Sequence, residues 1–73
     1  MTEFTDSKMY EIQQQDETGA VLSSRSVSAM SGDSAARQID ELTNGAHRIV
    51  VCLDGLPVTE MGVDYWQQRM RRR

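Results

Sequence analysis

The sequence predicts an α+β fold: a small, mostly antiparallel sheet in the order ββαβ(α), of three strands or alternatively four, with one helix packed on a face and another at the C-terminus. Two observations carry this. The apolar period is two as far as Ala29, becomes helical between Ser31 and Asn44, and gives way at Ile49 to a run rich in β-branched residues. The second is size. A chain of 73 residues makes one domain and buries only ~60% of the surface its unfolded form exposes, so the core must be thin. At roughly 0.05 to 0.15 kcal/mol per residue, the whole fold is worth on the order of 4 to 11 kcal/mol.

Residues 1–7 read as a flexible leader: they are polar, carry Glu3 and Asp6, show no sustained period, and offer only Phe4 for docking. The domain proper spans residues 8–68. From Lys8 to Gln15, Tyr10 and Ile12 alternate with Met9, Glu11 and Gln13, the period of a half-buried strand. Asp16, Glu17, Thr18 and Gly19 supply a hairpin loop, with Gly19 suited to a left-handed position. Ala20 to Ala29 then returns as a strand whose inward set is Val21, Ser23, Arg25, Val27 and Ala29, with Leu22, Ser24, Ser26 and Ser28 opposite. So many serines mark an edge.

Ser31 is placed to cap a helix whose stripe is Ala35, Ala36, Ile39 and Leu42, with Asp33 favouring the first turn and Asn44 and Gly45 ending it. Ile49 to Leu53 is apolar on both faces and predicts the best-buried strand. After Asp54 and Gly55 two continuations compete. One is a tight turn into a short fourth strand around Leu56 to Met61; the other, favoured here, is a helix capped by Thr59 and carrying Met61, Tyr65, Trp66 and Met70 at helical spacing. Pro57 fits a strand only at an edge, and Gly62 weakens a helix by ~1 kcal/mol. Pairing the third strand antiparallel to the first gives the order 2-1-3. Tyr10, Ile12, Val21, Val27 and Val51 then share one face under Ile39 and Leu42, and Met9, Leu22, Val50 and Cys52 share the other.

The residues offer no catalytic constellation, metal set or cofactor motif. His47 and Cys52, the one histidine and the one cysteine, fall on opposite faces of a strand five residues apart, which excludes a direct Cys-His nucleophilic pair. Structural zinc needs four ligands, and the rest would all be carboxylates. Asp16-Glu17 belongs to a turn, Asp40-Glu41 to a solvated helix side, and the five glycines, each isolated, build no phosphate cradle. The expectation is a protein that is not an enzyme and needs no cofactor. One cysteine fits a reducing, cytoplasmic setting, and the longest apolar run, five residues from Ile49, is far short of the ~20 a membrane helix needs.

Charge is divided along the chain. Eleven acidic residues face four basic ones as far as residue 68, whereas Arg69, Arg71, Arg72 and Arg73 crowd the last five positions as a basic tail, leaving a net −3. The reading that follows is a small acidic interaction module, an adaptor or an inhibitor of a larger protein assembly, whose partner is another protein or a second copy of itself. Its expected contact surface is Met9, Leu22 and Val50 on the open sheet face, with Tyr65, Trp66, Arg69, Arg71, Arg72 and Arg73 at the C-terminus. The alternative is a nucleic-acid-associated accessory protein, in which the tail pairs phosphates and the aromatics stack on bases. The acidic body opposes a polyanion, so the favoured reading of Trp66 is an anchor of the last helix to the thin core, and of the tail a source of solubility and a stabiliser of the helix C-terminus.

Overall fold

A computed structural model describes residues 7–70; the leader expected over residues 1–7, save Ser7, and Arg71 to Arg73 of the tail lie outside them. Four strands form one antiparallel sheet: β1 (Lys8–Gln15), β2 (Val21–Ala29), β3 (Arg48–Leu53) and β4 (Leu56–Gly62), in the order β2-β1-β3-β4. A short helix α1 (Gly32–Ala36) follows β2, and α2 (Val63–Tyr65) runs on into a π-helical turn, Trp66–Met70. This is the ββαβ(α) arrangement with the fourth strand present.

Both helical segments cover the same sheet face. Tyr10, Ile12, Val27, Ala29, Ile49 and Val51 pack there against Ala35 and Ala36 of α1, Ile39 from the loop, and Trp66 and Met70. Ile12, Ile49 and Val51 are the largest fully buried side chains, so the two central strands carry the core. Amides of Ile49 to Leu53 should therefore exchange slowest in native-state hydrogen exchange. Rates there equal to those of β2 would contradict the assignment.

The segment after Gly55 departs from the favoured helix. Asp54 (φ 55°) and Gly55 (φ 82°) both take left-handed backbone, which is the two-residue hairpin geometry that returns Leu56 opposite Leu53. Pro57 is tolerated because β4 is an edge strand and the register shifts beside it, between Val51 and Cys52. Met61 thus lies on a strand. Gly62, in extended backbone (φ −75°, ψ 156°), precedes the helix and weakens nothing.

Helix α1 stops at Ala36, well before Asn44. Ser31 caps it as expected, its hydroxyl accepting from the Ser34 N–H at 3.1 Å. Beyond it, side chains hold the chain where a helix would have used its own carbonyls. The Gln38 amide donates to the Ser28 carbonyl at 2.8 Å, and Gln14 accepts from the Thr43 N–H at 2.7 Å while donating to the Glu41 carbonyl at 3.3 Å. Ile39 remains buried and Leu42 partly so, from a loop instead of a helical stripe. Gln14 is itself buried, a role that sequence patterning did not assign. Replacing it with methionine keeps the volume but strands both loop groups, and should lower stability by about 1–3 kcal/mol in denaturant melts. An unchanged midpoint would mean the loop holds without it.

Strand β2 differs in one detail from the expected alternation. Its register slips between Gln14 and Gln15, so Val21 falls opposite Gln15, whose face is the uncovered one, and is 51% exposed instead of inward. Leu22, the extra residue, lies near Gly45, 3.7 Å from where a Cβ would sit there. Arg25 stands opposite Ile12, on the covered face as expected, and is exposed because β2 is an edge strand.

The hairpin loop is organised by Asp16. Its Oδ1 accepts from the Thr18 N–H at 2.9 Å, the Thr18 hydroxyl at 2.7 Å and the Ala20 N–H at 3.0 Å, and Gly19 takes φ +94°. The Thr18 hydroxyl first, then these N–H groups, hold the Asp16 carboxyl below its usual 3.8. A depressed folded value stabilises the fold fully above the unfolded value and is lost as pH falls through the folded one. In melts from neutral pH down to about pH 2, the wild type should therefore lose more stability than Asp16→Asn does. Parallel acid limbs would contradict this role.

Candidate interaction surface

The sheet face left uncovered by helices is the docking surface the strand pattern predicts, and its chemistry is more polar than that pattern implied. Val50 and Cys52 lie on it but are only 6% and 7% exposed. Their neighbours account for this. Gln13 and Glu60 stand opposite Val50 and Glu11 opposite Cys52, and the polar side chains bond across the face. Ser24 donates to Glu11 at 2.6 Å, Gln15 to Gln13 at 3.0 Å, and Arg48 pairs with Glu60 at 3.2 Å. Long polar side chains thus roof the apolar ones. Burial, and next the Glu11 carboxylate, push the Cys52 thiol above its usual value, so it is a poor nucleophile. His47 is exposed just before β3, and in the register of the strand it falls on the other face.

The expected contact residues are dispersed. Met9 is 62% exposed at the start of β1, Leu22 sits at the β2 bulge, and Tyr65 is 54% exposed on α2. Arg69 is exposed on the π-helical turn. Trp66 belongs to the core: it is 3% exposed, and its indole N–H donates to the Ala36 carbonyl at 2.8 Å, fastening the C-terminal helix to α1. It presents no ring for stacking. Arg71, Arg72 and Arg73 lie outside the described residues.

Exposed large apolar side chains occur at Met9, Val21, Leu22 and Met30 and in a second group on and after β4, of which the sequence had placed only Tyr65 as a contact. Leu56 and Val58 are well exposed, and Tyr65 follows on the helix that β4 leads into. An open groove of about 400 Å³ runs beside the strand, lined by Asp33, Thr59, Glu60, Met61, Gly62 and Tyr65. The signal that could have revealed this edge was the Asp54-Gly55 hairpin pair, read together with Pro57.

Main-chain geometry adds to it. The His47 carbonyl accepts from the Val63 N–H at 3.1 Å, in phase with the bonded pairs Ile49–Met61 and Val51–Thr59. Glu60 stands between those pairs, so its N–H and C=O point away from β3, where no strand follows among the described residues. The carboxylates of Asp33, Asp54, Glu60 and Asp64 lie on β4 or on the segments next to it, against the single Arg48, whereas on and beside β2 the cations Lys8, Arg25 and Arg37 are balanced by Glu11, Asp16 and Glu17. Among the described residues no cluster of three or more potential metal ligands occurs, and no helix is long and apolar enough to cross a membrane.

The chain matches no family model, and no curated protein or solved structure is significantly similar to it.

Proposed function

We propose that this protein is a small acidic, non-enzymatic interaction module that docks on another protein as an adaptor or inhibitor. The observation that carries the reading is the open, acidic edge of β4, with exposed Leu56 and Val58 on the strand and exposed Tyr65 on the helix after it. A partner that covers large apolar side chains beside an unpaired strand edge gains from both. A rigid strand presents them at little further entropic cost on binding.

The test is reconstitution. The partner recovered from the native cell by the tagged full chain should form a saturable complex of fixed stoichiometry when both are purified, and failure of every recovered protein to do so would contradict the reading. The nucleic-acid alternative makes a distinct prediction. If the arginine tail neutralised three or four duplex phosphates, the logarithm of affinity would fall against log salt with a slope near −3, at ~0.9 per phosphate. Burial of Trp66 removes one of the two rings that reading needs. The expected result is no tight duplex binding at physiological salt, with partner binding unchanged on deleting Arg71 to Arg73.

A further inference from the structure

We infer that the β4 edge binds a basic, extended segment of the partner by strand addition, with a lysine or arginine of that segment seated in the groove between Asp33 and Tyr65. This rests on the interaction-module reading and names the chemistry of its partner. The outward N–H and C=O of Glu60 offer a pair of main-chain hydrogen bonds to an incoming strand, and Gly62, which also falls in a non-bonded pair but caps α2 with its carbonyl, offers its N–H in the same phase. Alternate side chains of an added strand point to opposite faces. Those on the helical side of the sheet enter the groove, where the half-buried Met61 and the exposed Tyr65 ring accept an aliphatic stem and Asp33 accepts its charge.

Charge chooses between the two edges. Four carboxylates against one arginine around β4 favour a cationic strand there, and the balanced charges around β2 give no such preference. The β2 edge is also partly closed, because Gln38 occupies the Ser28 carbonyl. On β4, Pro57 and the bulge end regular pairing on the N-terminal side, so the added strand is short and lies over Val58 to Gly62. A short strand needs side-chain pockets for affinity, and the groove supplies one.

The test titrates the isotope-labelled full chain with a blocked octapeptide of alternating arginine and valine, followed by NMR. The same octapeptide with glutamate in place of arginine is the control. The arginine peptide should shift the amides of Thr59 to Gly62 and the Tyr65 ring, and the glutamate peptide should shift neither. Glu60→Pro, which removes the outward N–H, should weaken binding about tenfold, and Glu60→Gln, which removes only the side-chain charge, by no more than about threefold. Asp33→Asn should weaken it about fivefold. Shifts confined to β2 or the polar sheet face, equal binding of the two peptides, or an unweakened Glu60→Pro variant that retains the wild-type spectrum elsewhere would overturn the inference. A native partner that saturates the chain but maps to another surface would overturn this edge assignment and leave the module reading standing.

Discussion

Trp66→Ala should be the most damaging single substitution in the chain, lowering stability by about 3–5 kcal/mol. The indole is almost wholly buried, and it joins the C-terminal helix both to the sheet core and, through its N–H, to Ala36. Truncation empties that space and removes the donor. Against a total on the order of 4 to 11 kcal/mol, such a loss leaves a substantial unfolded fraction at moderate temperature. Trp66→Phe separates the two effects: it keeps most of the packing and should cost about 1 kcal/mol for the lost hydrogen bond, together with a small volume change. Chemical denaturation followed by far-UV circular dichroism reads both variants. Equal and small losses would mean that the helix is held by something other than this ring.

Ile12→Ala should come next, at about 2–5 kcal/mol. Ile12 is 1% exposed at the centre of β1, opposite Arg25 on one side and Val51 on the other, so its side chain fills the seam between the two hairpins. The surrounding strands are fixed by their ladders and collapse little into the void. The contrast is Met9, on the same strand but 62% exposed, where alanine should change stability by less than about 0.5 kcal/mol. Similar losses at the two positions would mean that the faces of β1 are misassigned.

How far the fold could be read in advance varied with how local its causes are. Period two at Tyr10 and Ile12, the left-handed Gly19, the Ser31 cap and the buried run at Ile49 all reflect the chain's own backbone preferences, and each is found where the pattern put it. The departures have longer-range causes. A bulge turned Val21 outward, and no propensity of Val21 itself encodes a slip set by its pairing with β1. Helix α1 ends where Gln14, distant in sequence, binds the Glu41 carbonyl and the Thr43 N–H, and where Gln38, two residues past the helix, binds the Ser28 carbonyl of β2. Thr59 and the helical spacing of Met61 competed with the Asp54-Gly55 turn, and the turn prevailed because β4 adds a full ladder to β3.

The contact surface was less legible than the fold. Met9 and Val50 were picked out because they alternate with core positions, but alternation says nothing of the glutamine and glutamate side chains that roof Val50. Leu56 and Val58 gave no amphipathic signal, standing beside a proline at a strand edge. Trp66 admitted two readings, a contact residue and an anchor of the last helix, and it is the anchor. An aromatic among arginines resembles a stacking platform, yet its place two residues from exposed Asp64 was set by the helix turning it onto Ala36.

Site-specific photo-crosslinking in the native cell tests the functional account most directly. A photoreactive side chain would be placed in turn at Leu56, on the β4 edge, and at Gln13, on the polar sheet face. The account predicts one dominant crosslinked protein from position 56, bearing a lysine- or arginine-containing segment at the crosslinked site, and only background from position 13. Crosslinks that form from position 13 and not from position 56, or none from either, would contradict it.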